Sequence, residues 1–212
     1  MKWIQHHLLW LVLNLLALAV MSVLLWYCFV GENVFRRYYS FTVVTSGRWA
    51  IRYLLICLMM TPLNTLFGWR YAIKLRKSAG LWAFAFAALH FSIYLSKVKL
   101  FWFDRPIPGI PTALGLFSLC IMTMLALTSM RDSMRWLGKW WKPLHRLVYA
   151  AGVLAIIHAM LEAPNTRVKD YDPDVFIEAV VYLAVLCVLL AVRIPLVRSY
   201  LAGWRDKARV AH

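Results

Sequence analysis

Apolar residues run in six long blocks, separated by short stretches where charge, Pro and Gly collect. The blocks cover roughly His7–Val30, Trp49–Leu66, Ala79–Ser96, Thr112–Met130, Pro143–Leu161 and Val175–Val192. Each is close to the about 20 residues a helix needs to cross a bilayer. The pattern predicts an all-α, polytopic membrane protein, with six transmembrane helices in one domain over residues 1–212. The first block is too long for a signal-peptide core and has no evident small-x-small cleavage site, so it is expected to be retained. Breaks fall where the chemistry favours them: Thr61-Pro62, Pro106 to Pro111, Pro143, Pro164 and Pro173. Pro143 suits a first helical turn, where a missing N–H costs nothing.

Composition fits this reading. The 212 residues are 63% hydrophobic and only 16% charged, against about 25% charged in soluble domains, and the mean hydropathy is +0.66. The formal net charge of +15 raises nucleic acid as a partner, but its distribution argues for topology and lipid headgroups instead. With the N-terminus in the cytoplasm, 15 of the 24 Lys and Arg fall on that side and 7 of the 9 acids on the other. The positive-inside rule then places both termini in the cytoplasm. Trp3, Trp69, Tyr71, Trp102, Trp136, Trp140, Trp141 and Trp204 cluster near expected interfaces, as an aromatic belt does. Cys28, Cys57, Cys120 and Cys187 sit in four different blocks without a C-x-x-C pair, which gives neither a disulfide framework nor a zinc site.

The chemistry lies in the histidines. Ionisable side chains at membrane depth are costly and are functional candidates by default. His90 is about eleven residues into the third block, roughly 16 Å along a helix. His158 is thirteen residues beyond His145 in the fifth, roughly 20 Å higher. His90 and His158 therefore share a depth, and His145 lies near the opposite surface. Facing histidines in a bundle are what an axially ligated haem needs. One haem between His90 and His158 is the simplest assignment, and a second on His145 would complete an electron wire. The partner of His145 is open, with His7 a candidate; His6 and His212 lie near the chain ends. On an ideal helix His145 and His158 are about 140° apart, so both meet one face only if the helix is distorted, and Ala151-Gly152 is the expected weak point. Lys142 and Arg146, with Arg76 and Lys77, are candidate contacts for haem propionates or a flavin phosphate. Small and aromatic residues flank His90, from Ala83 to Phe91, and suit either a macrocycle or ordinary helix packing.

Several stretches resemble the MsrQ (YedZ) family of haem-binding membrane subunits. They are Ser46 to Ala50, Leu58 to Leu63, Arg76 to Trp82, Leu89-His90 with Tyr94, Leu125 to Ser129, and Leu137 to Tyr149 leading to His158. That family belongs to the ferric-reductase-like transmembrane group, shared with NADPH oxidases. The resemblance implies b-type haem on His90, His145 and His158, which stand at the family's histidine positions. The oxidases carry two histidines on the third span and this chain has one, which leaves an inner haem's second ligand open. The chain is expected to lack the cytosolic flavin and nicotinamide domain of the oxidases, so the resemblance implies electrons from the quinone pool or a separate flavin reductase, with FMN as a cofactor. It implies a bacterial inner-membrane location and a periplasmic molybdopterin-dependent methionine sulfoxide reductase as the acceptor. The chain would then be an electron-transfer subunit rather than the catalytic one. Docking is expected on the outer loops Gly31 to Thr45, Lys97 to Pro111 and Glu162 to Asp174. Two alternatives stand beside this reading: a stand-alone transmembrane ferric or haem reductase, and a transporter or scaffold that holds no haem.

Overall fold

The computed structural model describes residues 2–30, 32–98, 109–163, 173–195, 197 and 199. Eight α-helices fill these residues: α1 (Lys2–Phe29), α2 (Glu32–Phe67), α3 (Arg70–Val98), α4 (Ile110–Leu127), α5 (Arg131–Leu137), α6 (Trp141–His145), α7 (Val148–Glu162) and α8 (Pro173–Ala191). A 3-10 turn at Gly138–Trp140 joins α5 to α6. The side chains of His6 and His212, and residues 99–108 and 164–172 of the expected docking loops, lie outside the described residues.

Among the described residues four helices are long and apolar enough to cross a membrane: His7–Phe29, Tyr38–Phe67, Arg70–Ser96 and Ile110–Leu127. Arg131–His145 and Val148–Glu162 make a fifth if counted together across their 44° bend, and Val175–Ala191 is a shorter apolar helix. Two boundaries differ from the hydropathy reading. α2 begins at Glu32 rather than Trp49, so the expected loop Gly31 to Thr45 is helical from Glu32 onward. α3 begins at Arg70 rather than Ala79. Both additions hold basic and hydroxyl residues, which lower hydropathy without breaking a helix.

The helices pack as two closely joined pairs, α2 with α3 and α4 with α7; α1 lies on α2 and α3, and α8 on α7 and α2. Ala79 and Ala83, both fully buried, let α3 approach α2, as small residues do in membrane bundles. Between these two helices Gly68 takes φ 65°, a left-handed conformation that favours glycine. Tyr53, Leu58, Phe86, Ile156 and Leu186 fill the interior, while Leu15, Trp26, Phe117, Leu127 and Val188 face outward. That outward apolar surface is what a lipid solvent requires.

Polar groups inside the bundle find partners. Asn14 Oδ1 on α1 accepts from Ser78 Oγ (2.6 Å) and Trp82 Nε1 (2.8 Å) on α3. Tyr53 OH donates to Leu13 O (2.7 Å). Pro62, inside α2, has no N–H to give the carbonyl four residues back. That carbonyl belongs to Leu58, and Arg193 Nη2 from beyond α8 donates to it. The Arg193 guanidinium also lies 4.7 Å over the Tyr149 ring, so one side chain ties α8 to α2 and α7.

This arrangement predicts that Arg193→Leu destabilises the folded protein by about 1–3 kcal/mol, the cost of an orphaned buried acceptor. In a Pro62→Ala background residue 62 supplies the N–H itself, so the same substitution should cost clearly less. Thermal unfolding in detergent of the four proteins measures the coupling; purely additive effects would refute the pairing.

Candidate functional site: two facing histidines

His90 comes from α3 and His158 from α7, one from each helix pair. Their ring centroids are 6.2 Å apart and their planes are crossed at 79°. The two rings are held in the same way. His90 Nδ1 donates to Val43 O on α2 at 2.8 Å, and its ring lies against Gly47, one helical turn further on. A Cβ at Gly47 would stand 3.2 Å from His90 Nδ1. His158 Nδ1 donates to Pro111 O on α4 at 2.8 Å, and its ring lies against Gly115, again one turn on. A Cβ there would stand 3.0 Å from His158 Nδ1 and Cε1. In each case a carbonyl fixes the ring's rotation, and a glycine four residues later lets it lie on the neighbouring helix.

The carbonyl bond also sets the tautomer. A ring that donates through Nδ1 keeps the lone pair of its neutral form on Nε2, the arrangement of a metal-binding imidazole. Neither Nε2 has a hydrogen-bond partner among the described residues. Ser46 Oγ stands 3.4 Å from His90 Nδ1 and donates to Val43 O at 2.9 Å, which reinforces the side already occupied. Both histidines line a cavity whose walls are mainly apolar, including Ile51, Leu54, Ala87, Phe91, Leu119 and Met122. Two imidazoles on one metal, each at about 2.0 Å, put ring centres roughly 6 Å apart, and the observed spacing matches. Among the described residues no group of three His, Cys, Asp or Glu converges to hold a bare metal ion. The pair therefore suits an iron whose remaining ligands come from a macrocycle.

His145 does not line the cavity. It ends α6, and its Nε2 is 3.2 Å from Thr128 Oγ1. Trp141 stacks on it at 4.2 Å and donates through Nε1 to Thr128 O at 3.0 Å. The distortion between His145 and His158 falls at Arg146–Leu147, between α6 and α7, and not at Ala151-Gly152. Those two residues are buried inside a continuous α7, with Ser118 Oγ donating to Ala151 O. His7 is exposed near the start of the apolar stretch of α1. Arg76 is half-buried, whereas Lys77, Lys142 and Arg146 are exposed.

One group at the cavity was not singled out from sequence. Arg48 Nε meets Glu178 Oε2 at 2.6 Å, and Arg52 Nη2 meets Glu178 Oε1 at 2.5 Å. Arg52 Nε donates to Tyr182 OH at 2.8 Å, and Tyr182 OH donates to Glu178 Oε1. The signal was an arginine pair one helical turn apart, with a lone acid and a tyrosine also one turn apart in the last apolar block.

Residues 46–156 match the family described as ferric reductase like transmembrane component. A protein of Rhodospirillum rubrum named protein-methionine-sulfoxide reductase heme-binding subunit MsrQ is 33% identical over 194 residues, 87% of this chain and 88% of the relative. The chain belongs to the MsrQ family. Proteins of the same name from Azospira oryzae and Bordetella pertussis are 34% identical over 158 residues and 37% identical over 129 residues. Those matches span 70% and 56% of this chain, and 62% and 60% of the relatives. The segment shared with ferric reductases holds Gly47, His90, Gly115 and His145, and ends two residues before His158.

Overpacking of this kind usually costs about 1–3 kcal/mol. Gly115→Ala should cost more than Gly47→Ala, because its Cβ would crowd three ring atoms of His158 at 3.0–3.1 Å. Thermal unfolding of the two variants gives the order; equal stability to the parent for Gly115→Ala would mean that the ring contact is not made.

Proposed function

We propose that the chain is a membrane b-type cytochrome, holding one haem between His90 and His158 and passing electrons across the bilayer. The observation that carries this is the crossed pair of imidazoles 6.2 Å apart, each with Nδ1 engaged and Nε2 without a partner among the described residues, both lining a mainly apolar cavity. The relatives' name, heme-binding subunit, supports the same chemistry. A haem iron held by the two imidazoles would supply one-electron chemistry. The chain's own contribution is then placement. Val43 and Pro111 fix the rings, Gly47 and Gly115 admit them, and the apolar walls keep water from the site. With both His90 and His158 holding the iron, the site would suit an electron carrier better than direct binding of oxygen or ferric iron.

Electron entry and exit complete the reading. The acceptor is a periplasmic molybdopterin-dependent methionine sulfoxide reductase; the relatives' name, a subunit of a protein-methionine-sulfoxide reductase, supports a methionine sulfoxide reductase as the partner. The donor is the quinone pool or a flavin reductase, with FMN as a cofactor. Of the side chains considered for a phosphate or quinone, Arg76 is the best placed, being half-buried on α3, while Lys77, Lys142 and Arg146 face outward. His145 marks the same end. A second haem there requires its Nε2 to leave Thr128.

His90→Ala and His158→Ala should each abolish the same reduced b-type absorption in purified protein, while His145→Ala should keep it. Pyridine haemochrome stoichiometry then gives the haem count. Full haem content and spectrum in either of the first two variants would show that the pairing is wrong. A colourless, well-folded parent protein would remove the cytochrome reading and favour a transporter or scaffold.

A further inference from the structure

The two histidine mounts share one register. Val43 precedes His90 by 47 residues, and Pro111 precedes His158 by the same 47. The offset between them, 68 residues from His90 to His158, extends to the cavity wall. Every lining residue of α2 and α3 other than Val43 has a lining residue of α4 or α7 as its counterpart at that offset. Gly47, Ala87 and His90 recur as Gly115, Ala155 and His158, while Ile51 and Leu54 recur as Leu119 and Met122. Outside the lining, the counterparts Ala83 and Ala151 are both fully buried. The packing swaps as a half-turn requires: besides its own partner, α2 meets α7 and α4 meets α3. A half-turn about an axis between the rings carries His90 onto His158. Any inclination of a ring to that axis is then doubled in the angle between the planes, which accounts for a crossing as wide as 79°.

A planar ligand between the rings therefore meets matching walls on its two faces. The match fails within the repeat at Arg48 and Leu116, at Phe91 and Ala159, and at Tyr94 and Glu162, and α8 lines the cavity without a counterpart. Of the three pairs, only Phe91 and Ala159 differ purely in apolar bulk, and each directly follows its histidine. Resting on the reading of a haem between His90 and His158, we propose that the site takes iron protoporphyrin IX either way round, in two comparably populated orientations, and that Phe91 opposite Ala159 sets their balance. The two faces of that tetrapyrrole differ only in the order of methyl and vinyl groups along its edge. One apolar carbon more or less against a wall shifts an equilibrium about fourfold, too little for matching walls to exclude either orientation.

Proton magnetic resonance of the oxidised parent in detergent, loaded with iron protoporphyrin IX and equilibrated, resolves the ring-methyl signals of each orientation. Only signals that His90→Ala removes are counted. The parent should show two sets, the minor one about a fifth of the total or more. Iron protoporphyrin XIII, whose substituents are two-fold symmetric, should give one set. Phe91→Ala, which leaves alanine on both sides, should bring the two sets toward equality, and Phe91→Ala with Ala159→Phe should exchange major and minor. A single set in the parent would overturn the two-way site and leave the haem reading standing, and that result does not depend on any variant folding. Doubling that persists with the symmetric isomer would trace it to the protein and overturn the two-way site as well. A ratio unmoved by Phe91→Ala would overturn the role of Phe91. Absence of any haem signal from the folded parent would overturn the haem reading and this inference with it.

Discussion

Everything distinctive in this structure depends on holding two imidazoles in fixed orientation inside an apolar bundle. A free histidine ring rotates, and a polar ring without a partner is costly where water is absent. The chain solves both with one bond per ring, from Nδ1 to a backbone carbonyl of the adjacent helix. The acceptors lie four residues before a glycine in both cases, so the ring is bonded at one turn and rests on the next. The bond joins α3 to α2 and α7 to α4, the two closely packed pairs of the fold. The helix pairs thus bring two oriented imidazoles to one cavity, each from its own half of the bundle.

Backbone satisfaction follows the same logic elsewhere. Pro62 frees a carbonyl in α2, and Arg193 fills it from the far end of the described chain. Asn14 gathers donors from Ser78 and Trp82 and so fastens α1. In a bilayer each such bond replaces water that is not there, so a few polar contacts position helices that are otherwise greasy on all sides.

Much of this was legible in the sequence. Helical rise alone placed His90 and His158 at one depth, because 1.5 Å per residue holds for any straight helix. Rotation was less legible. The ideal-helix angle between His145 and His158 does not apply, since the helix breaks at Arg146–Leu147, which carries neither Gly nor Pro. α2 and α3 begin well before their apolar blocks, because hydropathy marks where a helix is greasy and not where it begins. Gly47 and Gly115 read as ordinary small residues until the rings facing them are known. Arg48, Arg52 and Glu178 read as topology charges until α2 and α8 are brought together. Such features depend on inter-helix register, which no single-helix pattern encodes.

In the proposed haem site His90 and His158 ligate one iron with their planes crossed. Low-temperature electron paramagnetic resonance of the oxidised, purified protein addresses it most directly, since the signal of low-spin ferric haem depends on the angle between its axial imidazoles. With the planes at 79°, the oxidised protein should give a highly anisotropic low-spin signal that His90→Ala and His158→Ala each remove. A high-spin signal alone would contradict two nitrogen ligands, and a rhombic low-spin signal alone would contradict the crossed geometry.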